Sequence, residues 1–157
     1  MNGAHFHLII NHLPVLGVPV GLLLLAYSRW KGNSEMTRFS YYFIIGVALV
    51  SIPAFLTGEP AEDVLKKLPD YPREFVHEHE EMAEIGFVLT LLSGGLSLLS
   101  LCLNFINSKV KQFKIIEKFI PGLLFVSLVA AMAVLGYAAN LGGEIRHTEN
   151  RNPTVAE

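Results

Sequence analysis

The sequence predicts an all-α fold: a bundle of four transmembrane helices with a short amphipathic helix in the outer loop between the second and third. Three observations lead there. The 157 residues are 52% hydrophobic, and four stretches (8–27, 39–56, 82–106 and 119–141) approach or exceed the roughly 20 apolar residues that a bilayer crossing requires. So much apolar length in one small chain leaves too little polar surface for a water-soluble fold. Charge is also sorted by side. All six histidines and 12 of the 14 carboxylates fall on one side of such a bundle, and the other side keeps only Glu35 and Glu117 among the acids. The chain is read as one membrane domain over residues 1–157, with helices over about 5–29, 39–57, 72–107 and 114–148.

The first helix lacks a preceding basic region and a small-residue cleavage site, so it reads as a retained helix with a translocated N-terminus rather than a signal peptide. Pro14 and Pro19 disturb its hydrogen-bond ladder. Gly17 and Gly21 form a small face for close packing. The second helix follows a connection over 28–38. Past Leu56, Gly58 acts as a breaker and Pro60 suits a first helical turn, so residues 61–68 should form the short amphipathic helix. Pro72 then starts a helix of about 35 residues, or about 50 Å, which should project above the lipid. The fourth helix is expected to do the same, and the polar tail 150–157 should fray. Cys102 reads as a small buried apolar residue.

Sidedness follows from the connections. Arg29, Lys31, Arg38, Lys109, Lys111, Lys114 and Lys118 put seven basic residues into the two short loops, against five on the other side. By the positive-inside rule those loops are cytoplasmic. The expected location is therefore a bacterial inner membrane, with both termini and the histidines periplasmic or extracellular.

Candidate site residues come from helical stripes. The stripe His79, Ala83, Gly86, Thr90, Ser93, Ser97 and the stripe His147, Gly143, Asn140, Gly136, Ala133 are both small or polar, and both should face the bundle interior. Each ends outward in a histidine. His12 lies within an apolar run, where an ionisable side chain is costly and functional by default. His77 lies on the far side of its helix from His79 and should face out. His5 and His7 read as interfacial residues, but the axial levels leave a second option. His12 lies about 26 Å above the inner face and His79 about 42 Å. Unless kinks bring these levels together, His5 and His7 are the better neighbours for His79. Glu59 and Glu62 are three residues apart and can share a helical face, a spacing that suits a shared metal or proton. Glu80 adds a further carboxylate. Glu144 and His147 make one Glu-x-x-His pair, the spacing of di-iron carboxylate bundles, without the second pair those bundles use.

The motifs Asn11-His12-Leu13-Pro14-Val15, Thr57-Gly58-Glu59-Pro60-Ala61-Glu62, His79-Glu80-Glu81 and Gly142-Gly143-Glu144-Ile145-Arg146-His147 resemble a group of bacterial four-helix membrane proteins without assigned function. That group is similar to a broader family of four-helix membrane domains, some joined to Rieske or cytochrome c domains. The resemblance runs from the first helix to the end of the fourth. It implies a redox setting and draws attention to His12, Glu59, Glu62, His79, Glu80 and His147.

Three functions are expected, in this order. The first is a transition-metal site (Fe, Zn, Cu or Mn) at the outer mouth, with nitrogen from His12, His79 and His147 and oxygen from Glu59, Glu62 or Glu80. The second is a b-type haem carrier with two axial histidines and Arg146 pairing a propionate. The third is a non-catalytic subunit or pH sensor of a larger membrane complex. Whether the chain is an enzyme is left open. The expected partners are the lipid bilayer and a redox protein or quinone. A homo-oligomer is compatible with the pattern, and nothing in it suggests nucleic acid.

Overall fold

The computed structural model describes residues 3–67, 71–106 and 113–146, without the side chains of residues 3, 4, 113–117 and 146. Among the described residues there are six helices and no strand: α1 (Gly3–Ile10), α2 (His12–Lys31), α3 (Ser34–Leu56), α4 (Gly58–Leu65), α5 (Arg73–Ile106) and α6 (Phe113–Arg146). Four helical stretches are long and apolar enough to cross a membrane. They form an antiparallel ring in which α3 packs on α2 and α5, and α6 closes the circle against α5 and α2.

Three helix boundaries depart from the sequence expectation, one of them at α4, which spans Gly58–Leu65 rather than 61–68 and begins at the expected breaker Gly58. The first helix is broken at Asn11, so α1 is a separate eight-residue piece that packs chiefly on α4. The break stands three residues before Pro14, whose missing N–H leaves the ladder one bond short. The expected connection over 28–38 shrinks to Gly32 and Asn33. Gly32 takes φ +63°, a left-handed conformation that costs glycine little. The Gly32 N–H donates to Arg29 O, and the Asn33 N–H to Ser28 O at 3.0 Å. The Asn33 side chain then accepts from the Met36 N–H and caps α3. Two residues thus stop one helix and start the next.

The core cluster joins Val18 and Leu25 of α2, Tyr41 and Ile44 of α3, and Leu124, Leu128, Ala131 and Leu135 of α6. From α5 the seam receives Gly86, Thr90, Ser93, Gly94, Ser97 and Ser100, all buried. A methyl group added to Gly94 would lie 2.5 Å from the Ala48 Cβ, and one added to Gly86 would lie 2.5 Å from a Leu135 methyl. The α5 stripe below His79 therefore does face inward.

Its expected counterpart on α6 does not. Ala133, Gly136 and Asn140 are exposed, and the packed face runs through Leu128, Ala131, Leu135, Ala138 and Leu141. Close packing needs a small residue on only one side of a contact. Here α5 supplies the hollows and α6 the leucine knobs. Cys102 is exposed on the outer surface rather than buried. That surface is apolar over most of its length: Leu16, Leu23, Leu49, Val88, Leu98 and Val126 all lie on it.

Candidate functional site

Two half-buried histidines, His7 on α1 and His79 on α5, lie toward the end of the bundle where α1 packs on α4. His79, on α5, is half-buried, and its Nδ1 lies 2.7 Å from the Ala138 carbonyl oxygen of α6. A carbonyl only accepts, so Nδ1 carries the proton and Nε2 keeps a lone pair. Gly142 makes room for the ring: an added Cβ there would stand 3.4 Å from His79 Cε1. His7, on α1, is also half-buried, and its Nδ1 lies 3.0 Å from Thr57 Oγ1. The Thr57 hydroxyl donates its one proton to Ala54 O at 2.9 Å. Its oxygen therefore accepts from His7 Nδ1–H, and His7 Nε2 also keeps a lone pair. The two imidazoles are close enough for their charges to interact. The Ala54 carbonyl that accepts from Thr57 also lies within hydrogen-bond reach of the His7 ring.

Asn11 lies one turn below His7 on the same helical face, its N–H donating to His7 O. Its side-chain Oδ1 is sealed from solvent and, among the described residues, has no hydrogen-bond partner. A buried amide oxygen left unpaired costs about 1–3 kcal/mol.

The carboxylates lie to one side. Glu62 accepts from Lys66 Nζ at 2.6 Å and from Tyr71 Oη at 2.7 Å, so both its oxygens are engaged. The Glu62 carboxylate holds the Lys66 ammonium above its usual pKa. Burial, and then the bond to Glu62, raises that of the Tyr71 hydroxyl. Glu62, Lys66, Tyr71, Arg73, Glu74, His77 and Glu80 line an open cleft of about 720 Å³. Glu59 and Glu80 are exposed. Thus Glu59 and Glu62 do not form a shared carboxylate pair: Lys66 and Tyr71 take up Glu62.

His12 is exposed, and its Nδ1 lies 2.6 Å from Leu8 O of the preceding turn. Its ring is thus tied to its own helix and open to the surroundings. The more N-terminal His7, in α1 before the break at Asn11, is the histidine whose charge interacts with that of His79. His77 is exposed and stands 3.4 Å from Glu81. His147 lies outside the described residues, as does the Arg146 side chain. Asn140 Nδ2 donates to Glu144. Among the described residues no three His, Cys, Asp or Glu side chains gather closely enough to hold a metal between them.

Residue type and spacing did not single out Thr57 or Asn11. One signal was present for each. Asn11 is four residues from His7, and Thr57 is a polar residue closing a long apolar helix. No family model matches this chain, and neither does any curated protein or solved structure.

Proposed function

We propose that the chain is a multi-pass membrane protein that carries a transition metal at the outer mouth of its bundle, with His7 and His79 as the protein ligands. The membrane part rests on four apolar helices, an apolar outer surface and two basic short loops. The loops favour an inner-membrane placement with the histidine end outside the cytoplasm. The site rests chiefly on one observation: both half-buried imidazoles are oriented through Nδ1 on a protein oxygen, which leaves Nε2 as the candidate metal donor. Ligand histidines are held in this way, with the outer bond setting tautomer and ring orientation. A redox role is favoured by the resemblance to domains joined to Rieske and cytochrome c modules.

The ligand count favours one form of this site. A bare Zn ion takes three or four protein donors, and here two are assembled. Haem b brings its own four nitrogens and asks the protein for only two axial ligands. A bare ion would have to recruit water, Glu80 or Glu59. The proposed set is drawn from the described residues, which do not include His147.

Elemental analysis and an optical spectrum of the purified protein test both forms. The expected result is close to one metal per chain, lost in His79→Ala and His7→Ala and kept in His12→Ala and His77→Ala. A Soret band identifies haem, and metal without it identifies the bare ion. Neither metal nor Soret band, even after haem supplementation during expression, overturns the proposal.

A further inference from the structure

At the opposite end of the bundle, α2 and α6 part to leave an open groove of about 390 Å³ lined by Leu25, Ala26, Arg29, Pro121, Gly122 and Phe125. Its walls are apolar, and its single charged lining residue is a guanidinium. Leu25, Ala26 and Arg29 share one face of α2, being three and four residues apart. Opposite them, Gly122 carries no side chain, and an added Cβ would meet nothing within 4 Å. The opening thus arises where α6 presents its Pro121-Gly122 pair to a small residue of α2.

The position matters as much as the shape. Arg29 lies two residues from the end of one apolar span, and Gly122 four residues from the start of another. Both stand where hydrocarbon gives way to headgroups. Tyr27 and Trp30 are exposed at the same level, as an interfacial aromatic belt requires. Lys31 is already turned onto these rings, 4.5 Å from the Trp30 centroid. Arg29, by contrast, makes no ion pair or hydrogen bond through its side chain among the described residues. Lys118, exposed one turn before Gly122, adds a second cation on the same flank.

We infer that this groove binds one anionic phospholipid, with an acyl chain against Leu25, Ala26, Gly122 and Phe125 and the phosphate on Arg29. The inference rests on the membrane placement proposed above but not on the metal site. An apolar slot at membrane depth closed by an unpaired guanidinium matches a lipid in both halves. A guanidinium fits a phosphate bidentately, and basic pockets between membrane helices take anionic headgroups. A neutral zwitterionic lipid offers the same chain but cancels the charge.

Native mass spectrometry of protein released from nanodiscs, with phosphatidylglycerol and phosphatidylcholine in equal amounts, tests it. The wild-type chain should retain one phosphatidylglycerol in preference to phosphatidylcholine. Gly122→Leu, whose Cβ would meet nothing within 4 Å and whose side chain would occupy the slot, should lose that lipid. Arg29→Gln, an exposed change that leaves the fold alone, should lower retention about fivefold, the worth of one basic residue near a membrane surface. Equal retention of the two lipids overturns the inference, as does undiminished retention in Gly122→Leu or in Arg29→Gln. A chain that stays in solution without detergent and carries neither lipid overturns the membrane placement as well.

Discussion

The middle of the bundle and its outer mouth are both lined with polar side chains, yet they use them differently. In the middle, each hydroxyl is spent inside the protein. Thr90 donates to Gly86 O, Ser93 to Leu89 O, Ser97 to Ser93 O and Ser100 to Leu96 O, and Ser93 also meets Ser127 across the α5–α6 contact at 2.8 Å. At the mouth, His7 and His79 each spend one ring nitrogen and keep the other, and Asn11 keeps an unpaired oxygen. Polar residues in a membrane-type bundle therefore fall into two kinds. Those whose one proton is spent on the backbone line the closely packed seam, and Ser93 with Ser127 bridges it. Those with capacity left over are where a ligand would bind.

Experiments can break that division or sharpen it. The largest expected effect is His79→Ala, which should abolish metal retention measured per folded chain while leaving detergent-solubilised thermal stability nearly intact. Next is the middle of the seam. Gly94→Val would drive a branched side chain into Ala48 and should cost about 1–3 kcal/mol, read as a lowered unfolding midpoint. Metal content per folded molecule should be unchanged. Thr57→Val keeps the shape but removes the acceptor that orients His7. It should weaken metal binding by about 10–100-fold, the usual cost of losing an outer-shell partner, and Thr57→Ser should restore it. A pair of Ser93→Ala and Ser127→Ala should cost only about 0.6 kcal/mol, since interhelical hydrogen bonds in membranes are weak on average. A large loss of metal in that double variant would erase the distinction between seam and mouth. The smallest effect is expected from Lys66→Met. Its ion pair with Glu62 is half-exposed, so neither stability nor metal content should move measurably.

The four long helices were legible in the sequence because apolar runs of about 20 residues are its plainest signal, and each of them is helical in the structure. The inward face of α5 was legible for a related reason: a row of Gly, Thr and Ser amid leucines has few uses other than close packing. The face of α6 was misjudged because small residues are ambiguous. Gly136 and Ala133 look like packing residues, but leucines already fill the hollows of α5. The site was only half legible. His79 could be placed from its stripe. His7 could be placed only through axial levels. Glu62 has the spacing of a ligand, but its partners Lys66 and Tyr71 are set by the fold of the connection. Spacing along a helix shows which residues can meet, not which competitor reaches them first.

The two histidines are anchored by different parts of the bundle. His7 depends on Thr57, at the corner where α3 gives way to α4. His79 depends on a carbonyl of α6, the most C-terminal of the described helices. The pair can therefore be complete only after both halves of the chain have folded against one another. A cofactor captured there would arrive late in biogenesis, and its presence would certify that all four helices had reached their places.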